Sequence, residues 1–418
     1  MNVLIKSATI IDPKSEFHNA TKDILVENGV ITKIANAIKN AKSYKEIKLD
    51  NLHVSQGWFD SSVSFGEPGF EERETIDNGL ETAAHSGFTA IALNPNTNPV
   101  IDSNTDISFL NSKAVKSAVS LLPIGALTVK SKGEDLAELY DMSQAGAKAF
   151  YDYKKAISNP NLMKIALQYA SNFDGLVCSF PQENKIAGNG VMNEHITSTK
   201  LGLKGLPALA EALQVARDLF LLEYTGGKLH IPTISTEQSV ELIREAKKKK
   251  LDVSCSVAIH NLYFTDDVLS EFNTNFKVLP PLRTKKDVDA LIEGVKDGTI
   301  DMVTSDHTPI DIEEKKVEFD LANYGSIGLE SAFGALQNIF TTKKTIDLLT
   351  RGKSRFGLKQ TPIEIGERAN LSLFNPDMST SFTKTNMRSK SKNAIFENEV
   401  LKGKVYGIIA NNKAVIIA

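Results

Sequence analysis

The feature that most constrains the fold is a repeated alternation of short apolar runs and amphipathic helical stretches between about Gln56 and about Gly352. The eight runs that we predict to be buried parallel strands are Trp58–Phe65, Thr89–Leu93, Val119–Ile124, Ala147–Tyr151, Gly175–Phe180, Lys228–Ile234, Leu251–Val257 and Asp301–Thr304. Helical periodicity follows most of them, for example over Leu206–Tyr224, Glu237–Lys249, Lys286–Lys296 and Ser326–Phe340. Eight such units in about 300 residues favour a TIM (β/α)8 barrel over a doubly wound sheet.

Both ends of the chain have a different pattern, since they are rich in strands without helices between them. The first part contains the predicted strands Val3–Ile11, Asp23–Val26, Val30–Ala35 and Glu46–Leu49, and the last contains Asn370–Phe374, Gly403–Ala410 and Ala414–Ile417. We therefore expect an α/β chain with two domains. Residues 55–364 form the barrel, and residues 1–54 together with 365–418 form a small β-sandwich domain.

Composition excludes several classes of protein. The net charge of −3 provides no basic field for nucleic acid or an anionic membrane, and no segment has the roughly 18 apolar residues that a membrane helix requires. The two cysteines, Cys178 and Cys255, are too few for a disulfide scaffold or a zinc ribbon, and both read as core residues. We expect a soluble, cytoplasmic protein.

In a TIM barrel the chemistry lies just beyond the C-terminal ends of the strands, so the residues there indicate function. They are mostly small and polar, and they include three carboxylates and three histidines: Asp60, Ser62, Ser64, Asn94, Asn96, Asp152, Ser179, His230, Thr233, His260, Asp306 and His307.

Several stretches in order along the chain resemble the dihydroorotases of the amidohydrolase superfamily. They are GEPGFEERETI from Gly66, PNTNPVID from Pro95, LGLKGLPALAEALQVARDL from Leu201, PPLRTKKDVDALIEGVKDGTID from Pro280, SDHTP from Ser305 and SIGLE from Ser326. The resemblance implies the barrel, the split β-domain and the closure of N-carbamoyl-aspartate to dihydroorotate in pyrimidine synthesis. It also implies two zinc ions, because the family activates a metal-bound hydroxide.

The chain departs from the family where the zinc ligands belong. Ser62 and Ser64 stand in place of a His-x-His pair, and Ser179 and Thr233 replace the histidines after strands five and six. Neutral hydroxyls are poor zinc ligands, so we expect no metal cofactor. Asp306 matches the family's aspartate after strand eight and is the one catalytic candidate. Asp152 lies near the bridging-ligand position.

The remaining histidines do not restore the ligand set. His230 lies three residues from the ligand position, and strand alternation predicts that it points away from the barrel interior. His260 and His307 match family positions that are not ligands, and His307 reads as a packed, hydrogen-bonded side chain.

The family's substrate clamp is altered too. Gly66 replaces the arginine that holds the substrate carboxylate, Ile310 replaces a histidine, and Leu279 replaces an asparagine. Asn96 is the retained substrate-binding candidate.

We therefore predict an inactive dihydroorotase-like chain with a structural or regulatory role, since the resemblance implies assembly with aspartate transcarbamoylase and a homo- or hetero-oligomer. Two alternatives remain open. One is an active dihydroorotase or other cyclic-amide hydrolase with a rebuilt metal site. The other is a module that binds a small metabolite in the barrel mouth, with Asn96 as an anchor.

Overall fold

The computed structural model describes residues 1–417. Its strands are β1 (Val3–Ile11), β2 (Thr21–Glu27), β3 (Val30–Ala35), β4 (Lys45–Ile47), β5 (His53–Gln56), β6 (Trp58–Val63), β7 (Phe88–Leu93), β8 (Ser120–Gly125), β9 (Ala149–Phe150), β10 (Leu176–Cys178), β11 (Met192–Asn193), β12 (Gly205–Leu206), β13 (Lys228–Ile231), β14 (Val253–Ala258), β15 (Met302–Thr304), β16 (Leu371–Ser381), β17 (Val400–Ala410) and β18 (Lys413–Ile416).

The α-helices are α1 (Ile76–His85), α2 (Asn104–Ala114), α3 (Leu139–Ala145), α4 (Pro160–Ser171), α5 (Asn184–Ala187), α6 (Ile196–Leu201), α7 (Ala208–Thr225), α8 (Glu237–Lys248), α9 (Ile259–Tyr263), α10 (Lys285–Asp297), α11 (Ile312–Lys315), α12 (Leu329–Ile339) and α13 (Thr342–Thr350). Short 3-10 helices cover Val129–Ser131, Asp266–Glu271, Thr274–Phe276 and Arg351–Phe356. Within the described residues, no helix is both long and apolar enough to span a membrane.

The predicted fold class is confirmed, because the eight central strands form a parallel barrel. Their order is β6-β7-β8-β9-β10-β13-β14-β15. Asp60 joins the first strand to the last, since its carboxylate accepts hydrogen bonds from the Thr304 hydroxyl and, at 2.9 Å, from the Ser305 amide. The Ser64 amide also donates to the carbonyl of His307 at 2.8 Å. The barrel is thereby closed at the end where its strands terminate.

The second sheet is built from both ends of the chain, in the order β18-β17-β16-β5-β1-β2-β3, with β4 beside β1. The N-terminal and C-terminal parts meet where β5 pairs antiparallel with β16, which places Val54 opposite Leu373. This sheet has an apolar core of its own that includes Ile5, Val26 and Ile409.

Alternation along the barrel strands sorts their side chains into two layers. One layer fills the barrel interior and comprises Phe59, Ala90, Ala92, Leu122, Ile124, Ala149, Tyr151, Leu176, Cys178, Phe180, Met302 and Phe356. The other packs against the helices and includes Ile91, Val177, Leu229 and Ile231. The interior is a packed core, so ligands can reach only the barrel ends.

The sole tryptophan, Trp58, ties the barrel to the β-domain. Its ring is fully buried and stacks on Phe333 of α12, with centroids 4.8 Å apart, and it lies 5.6 Å from the Phe374 ring of β16. Its indole N–H donates to the Ser55 hydroxyl at 2.9 Å. A single side chain therefore packs against both domains.

Helix α7 is anchored to the barrel by a buried carboxylate. Glu211 accepts hydrogen bonds from the Ser235 amide at 2.8 Å and the Thr236 amide at 3.0 Å, and from the hydroxyls of both residues and of Ser239. Arg283 lies 3.8 Å from the same carboxylate. These contacts fix α7 and the start of α8 behind β13.

Candidate functional site at the barrel mouth

The C-terminal ends of the barrel strands converge at the mouth of the barrel. There, four of the sequence-selected positions meet one residue that the sequence did not single out. Asp306, after β15, accepts a hydrogen bond from the Ser62 hydroxyl at 3.2 Å. Its other carboxylate oxygen lies 2.8 Å from Nζ of Lys154, after β9. The side chains of Lys154 and Asp306 are only 11% and 2% exposed, so this is a buried ion pair.

Neutral groups surround the pair. The side-chain amide of Asn94 donates to the hydroxyls of Ser62 at 3.1 Å and Ser64 at 3.4 Å. The hydroxyls of Tyr153 and Thr308 share a 2.9 Å hydrogen bond, and the Lys154 ammonium lies 5.2 Å from the centre of the Tyr153 ring. The Lys154 ammonium and the Asp306 carboxylate are therefore paired with each other among neutral hydroxyl and amide groups.

Burial and charge act in opposite directions on these groups. Burial alone would lower the pKa of Lys154, but the Asp306 carboxylate raises that pKa above its ordinary value. Burial raises the pKa of Asp306, and the Lys154 ammonium opposes this shift. Burial, reinforced by the Lys154 ammonium, lowers the pKa of His260 to about 3. His260 is thus a neutral imidazole at physiological pH.

The backbone at the mouth is strained at three residues. Lys154, Thr233 and Asp306 all have left-handed φ angles, of 53°, 52° and 49°. Such angles are uncommon for any residue other than glycine and are outliers for a β-branched residue such as Thr233. Backbone strain of this kind concentrates at functional sites. The strand ends at the mouth thus combine a strained backbone with hydroxyl side chains and one ion pair.

Ser179 is turned away from the ion pair, toward α7. Its hydroxyl donates to Asp218 at 2.6 Å, and the same buried carboxylate is held by Gln214 at 3.1 Å and by Arg217 at 2.7 Å. A metal-binding histidine commonly donates its second N–H to such a carboxylate. The supporting group behind position 179 is present, although the imidazole is not.

The residues at the mouth do not fit the pair of zinc ions that the resemblance implies. Ser62, Ser64 and Thr233 offer neutral hydroxyls, and the Asp306 carboxylate is already paired with Lys154. Asp152 is not placed as a bridging ligand, because its carboxylate accepts hydrogen bonds from the backbone amides of Leu127 and Thr128 at 2.9 and 3.0 Å. Across residues 1–417, no group of three or more His, Cys, Asp or Glu side chains is arranged to hold a metal ion.

The position of the substrate-clamping arginine is closed by the backbone. A Cβ atom on Gly66 would lie 1.7 Å from the carbonyl oxygen of Phe70. The Gly66 amide donates to the carbonyl of Glu74, and the Phe70 amide donates to the carbonyl of Gly66, both at 2.8 Å. Apolar side chains stand at the two other clamp positions. Ile310 is buried, and Leu279 packs against the inner core. No side chain can extend from position 66 without rebuilding this loop.

The structure corrects the expected orientation of His230. Its neighbours Leu229 and Ile231 face the helices, whereas its ring lies 5.8 Å from that of Phe356 in the inner layer and its Nδ1 is 2.8 Å from the Ser254 hydroxyl. The prediction that it points away from the interior was wrong, because β13 ends at Ile231 and regular alternation does not extend to the left-handed Thr233.

The other selected residues are also placed. His307 is fully buried, with Nε2 2.6 Å from Glu74 and Nδ1 accepting the Gly328 amide at 3.1 Å, so it is the hydrogen-bonded histidine we predicted. The side-chain oxygens of Asn94 and Asn96 and the Nε2 of His260 are buried without a hydrogen-bond partner. Asn96 makes no hydrogen bond to the Lys154–Asp306 pair.

Sequence reasoning missed Lys154 and Asp218. Lys154 follows Asp152 by two residues, just after a barrel strand. In a TIM barrel, residues at this position commonly belong to the functional site. Asp218 lies inside an apolar helix, where a carboxylate requires a buried partner. The charged residue types could be read from the sequence, whereas the pairing of Lys154 with Asp306 depends on the folded backbone.

Comparison with known proteins gives a consistent result. Residues 53–239 match a family model described as Dihydro-orotase-like. A protein named dihydroorotase from Pelotomaculum thermopropionicum is 40% identical over 423 residues, covering 100% of this chain and 99% of the relative. One from Acetivibrio thermocellus is 40% identical over 425 residues, covering 99% of each.

Among solved structures, the L-hydantoinase (dihydropyrimidinase) of Arthrobacter aurescens superposes with a TM-score of 0.85 at 19% identity, covering 100% of this chain and 97% of that one. The D-hydantoinase from Thermus sp. gives 0.82 at 19% identity, with coverages of 99% and 95%. At such identities these two structures show a shared fold.

Proposed function

This chain belongs to the dihydroorotase family of the amidohydrolase superfamily, and from that premise we propose that it has lost the family's zinc-dependent catalysis and acts as a cytoplasmic, dihydroorotase-like assembly partner in pyrimidine synthesis. The observation that carries the proposal is the buried ion pair between Lys154 and Asp306. The Lys154 ammonium takes up one side of the Asp306 carboxylate, which by the resemblance would face a metal ion.

The donor set argues against a metal-bound hydroxide. Zinc sites use imidazole, thiolate or carboxylate ligands, and three protein ligands are usual at a catalytic zinc. Ser62, Ser64, Ser179 and Thr233 offer none of these groups, and the Ser179 hydroxyl is engaged by Asp218. Without a bound metal, a water molecule has no comparable means of ionising near neutral pH.

Loss of the substrate clamp supports the same conclusion independently. Recognition of a carboxylate by arginine depends on a planar, bidentate contact. Gly66 has no room for any side chain, because the carbonyl of Phe70 occupies the space. A chain that retained a metal but lacked this clamp would still bind N-carbamoyl-aspartate poorly.

The experiment is a turnover assay with dihydroorotate in the presence and absence of added zinc, with the Pelotomaculum thermopropionicum relative as the control. We expect no turnover above background and less than a tenth of a zinc ion per chain in protein purified without chelator. Stoichiometric zinc together with turnover would overturn the proposal and favour the alternative of an active cyclic-amide hydrolase.

For the assembly role we name aspartate transcarbamoylase, the preceding enzyme of the pathway, as the partner. The support is the resemblance to inactive dihydroorotase-like chains, together with a complete eight-stranded barrel whose mouth lacks the zinc donors that the resemblance implies. Mixing the two proteins from the same organism should give a complex that sediments faster than either alone. Unchanged sedimentation of both components at micromolar concentration would argue against this partnership.

A second candidate function is supported by the unpartnered polar atoms at the mouth. Oδ1 of Asn94, Oδ1 of Asn96 and Nε2 of His260 are buried without hydrogen bonds, and buried polar groups normally have partners. A small metabolite that donates hydrogen bonds could satisfy them. A thermal-shift screen of neutral pyrimidines and cyclic amides tests this candidate, since a ligand of the native state raises the melting temperature, and Asn96→Ala should abolish that increase.

A further inference from the structure

A cleft of about 380 Å³ lies between the β-domain and the barrel. Its walls come from the residues around the end of β1, from Gln56, and from helix α13 with the turn that follows it. Gln56 stands just before β6, and the Arg351 guanidinium donates to the carbonyl of Ile300, just before β15, at 2.8 Å. This interdomain cleft therefore borders the N-terminal ends of the barrel strands, at the opposite end from the mouth.

The lining of the interdomain cleft carries more positive than negative charge. Four cationic side chains line it beside two carboxylates, and they are Lys14, Lys343, Lys344 and Arg351 beside Asp12 and Asp347. Asp347 is shared between Lys344 at 3.4 Å and Arg351 at 3.6 Å. The Lys14 ammonium donates to a neutral group, the side-chain oxygen of Gln360, at 2.6 Å. Because the whole chain has a net charge of −3, this excess of cations is local.

The second carboxylate, that of Asp12, is held by neutral donors. It accepts hydrogen bonds from the Gln56 side chain at 2.9 Å and from the backbone amides of Lys14 and Ile363 at 3.1 and 2.8 Å. Asp12 is also buried. Across residues 1–417 it forms no ion pair, so it leaves the lysines of the cleft without a direct counter-charge.

A fifth cation lies behind this lining. Lys353, two residues after Arg351, is only 4% exposed, and within the described part of the chain its ammonium makes no hydrogen bond and no ion pair. Lysine is almost never buried unless it is paired. Lys315, which is equally buried, illustrates the rule, since its ammonium donates to the carbonyl of Thr274 at 2.9 Å. Lys353 is therefore a buried donor whose partner is missing.

The ammonium of Lys353 lies near the interdomain cleft. Burial lowers the pKa of Lys353 to about 8, and the two charged groups that act on it are Asp12, which opposes this shift, and Lys14, which reinforces it. Both of these residues line the cleft. An anion bound in the cleft would supply the counter-charge that Lys353 and Lys14 lack.

The remaining features of the cleft indicate the kind of anion. Thr341, the N-terminal cap of α13, is part of the lining, and the first turn of a helix presents free amides and a partial positive charge. Five cations beside two carboxylates suit a phosphate ester, which carries about two negative charges, better than a carboxylate with one. Ile11, Pro13 and Ile346 add apolar surface for the rest of the ligand. The volume is within the usual range for a small-molecule site.

We propose that the interdomain cleft binds a small phosphate monoester, with the phosphate group among Lys14, Arg351 and Lys353 and an apolar body against Ile11 and Ile346. This site goes beyond the proposed function and does not depend on it, because it lies at the other end of the barrel from Asp306. Either could fail without affecting the other.

The test is calorimetric titration of the full chain with phenyl phosphate, which joins a phosphate group to an apolar ring. We expect one site per chain with a dissociation constant on the order of 100 µM. Benzoate, which has the same ring and a single negative charge, should bind about ten-fold more weakly or worse. Absence of binding by phenyl phosphate, or equal affinity for benzoate, would overturn the proposal.

Substitutions locate the site. Lys353→Met and Lys14→Met should each weaken phenyl phosphate binding about ten-fold or more, since each removes a cation that has no counter-charge. Lys316→Met is the matched control, because Lys316 is exposed and follows β15 on the mouth side, and its affinity should not change. Lys14 is exposed, so its variant should fold even if Lys353→Met does not. Wild-type affinity in the Lys14 variant, or in a folded Lys353 variant, would contradict the site.

Melting temperatures separate a binding role of Lys353 from a structural one. Without ligand, Lys353→Met should melt at or above the wild-type temperature, because it removes an unpaired buried charge. Phenyl phosphate should raise the melting temperature of the wild type and not that of the variant. A variant that melts lower than the wild type yet is stabilised equally by phenyl phosphate would show that Lys353 is structural, and it would overturn its assignment to the site.

Discussion

The Nζ atom of Lys154 lies 2.8 Å from Oδ2 of Asp306, and the two side chains are almost completely shielded from solvent. They come from opposite sides of the barrel, after β9 and after β15, and both residues have left-handed backbone angles. Within this pair, each charged group has a buried counter-charge. The contribution of this buried pair to stability can therefore be measured directly by substitution.

Replacing Lys154 with methionine should destabilise the protein by about 3–5 kcal/mol, because it leaves Asp306 buried without a counter-charge. Urea unfolding at neutral pH measures the change. Lys155→Met, an exposed neighbour, should cost less than about 0.5 kcal/mol. Adding Asp306→Asn to Lys154→Met should recover much of the loss. Wild-type stability in the single Lys154 variant would mean that the pair is not ionised.

Gly66→Ala should destabilise the fold by about 2 kcal/mol or more, since the new Cβ would lie 1.7 Å from a backbone oxygen that cannot move alone. The control is Glu72→Ala in the same loop, where the side chain is exposed. Thermal unfolding compares the two. If Gly66→Ala melted like the wild type, the loop would have enough freedom to admit a side chain at position 66.

Stability should fall as the pH decreases from 6.5 toward 3. Burial lowers the pKa of both His230 and His260 to about 3. Between that value and the ordinary value of 6.5 the unfolded chain binds protons that the native state does not, so acid favours unfolding. Each histidine should contribute up to about 1.4 kcal/mol per pH unit.

Urea titrations at pH 7.5, 5.5 and 4.5 measure this slope. His260→Asn should flatten it by one histidine's share, whereas substitution of the exposed His195 by Asn should leave it unchanged. An identical slope in the wild type and in the His260 variant would show that His260 is already protonated in the native state.

Glu211→Ala should cost about 3 kcal/mol or more, because two amides and three hydroxyls would lose their shared acceptor and Arg283 would lose its nearby charge. Glu223→Ala, on the exposed side of the same helix, should be nearly neutral. Chemical unfolding followed by circular dichroism compares the variants. Similar losses for the two would indicate that the buried network does not determine the stability of α7.

Much of the fold could be predicted from the sequence because buried parallel strands leave a strong apolar signal. The predicted β1 and β3 have the observed bounds, and α8 was predicted to within one residue. The short β5, β11 and β12 and the small helices α5 and α6 were missed, since their few residues do not make a period. Their positions depend on neighbours distant in sequence, such as β16 beside β5.

The site was less predictable than the fold. The absence of imidazoles at positions 62, 64, 179 and 233 could be read directly from the chain. The partner of Asp306 could not, because it depends on the turn conformation of Lys154, and the orientation of His230 depended on where β13 ends. The alternation of side chains predicts their direction correctly inside a strand. It fails for the residues just beyond the strand end, and those residues form the mouth of the barrel.

The pairing of β5 with β16 has a consequence for biosynthesis. A ribosome releases the first strands of the chain early, but the segment that covers their open edge emerges only after the entire barrel has been translated. During that interval the nascent protein carries an uncovered strand edge, of the type that invites pairing with other chains. Cellular factors that shield emerging polypeptides would thus act on this protein mainly through the strands β1–β5, which end at Gln56.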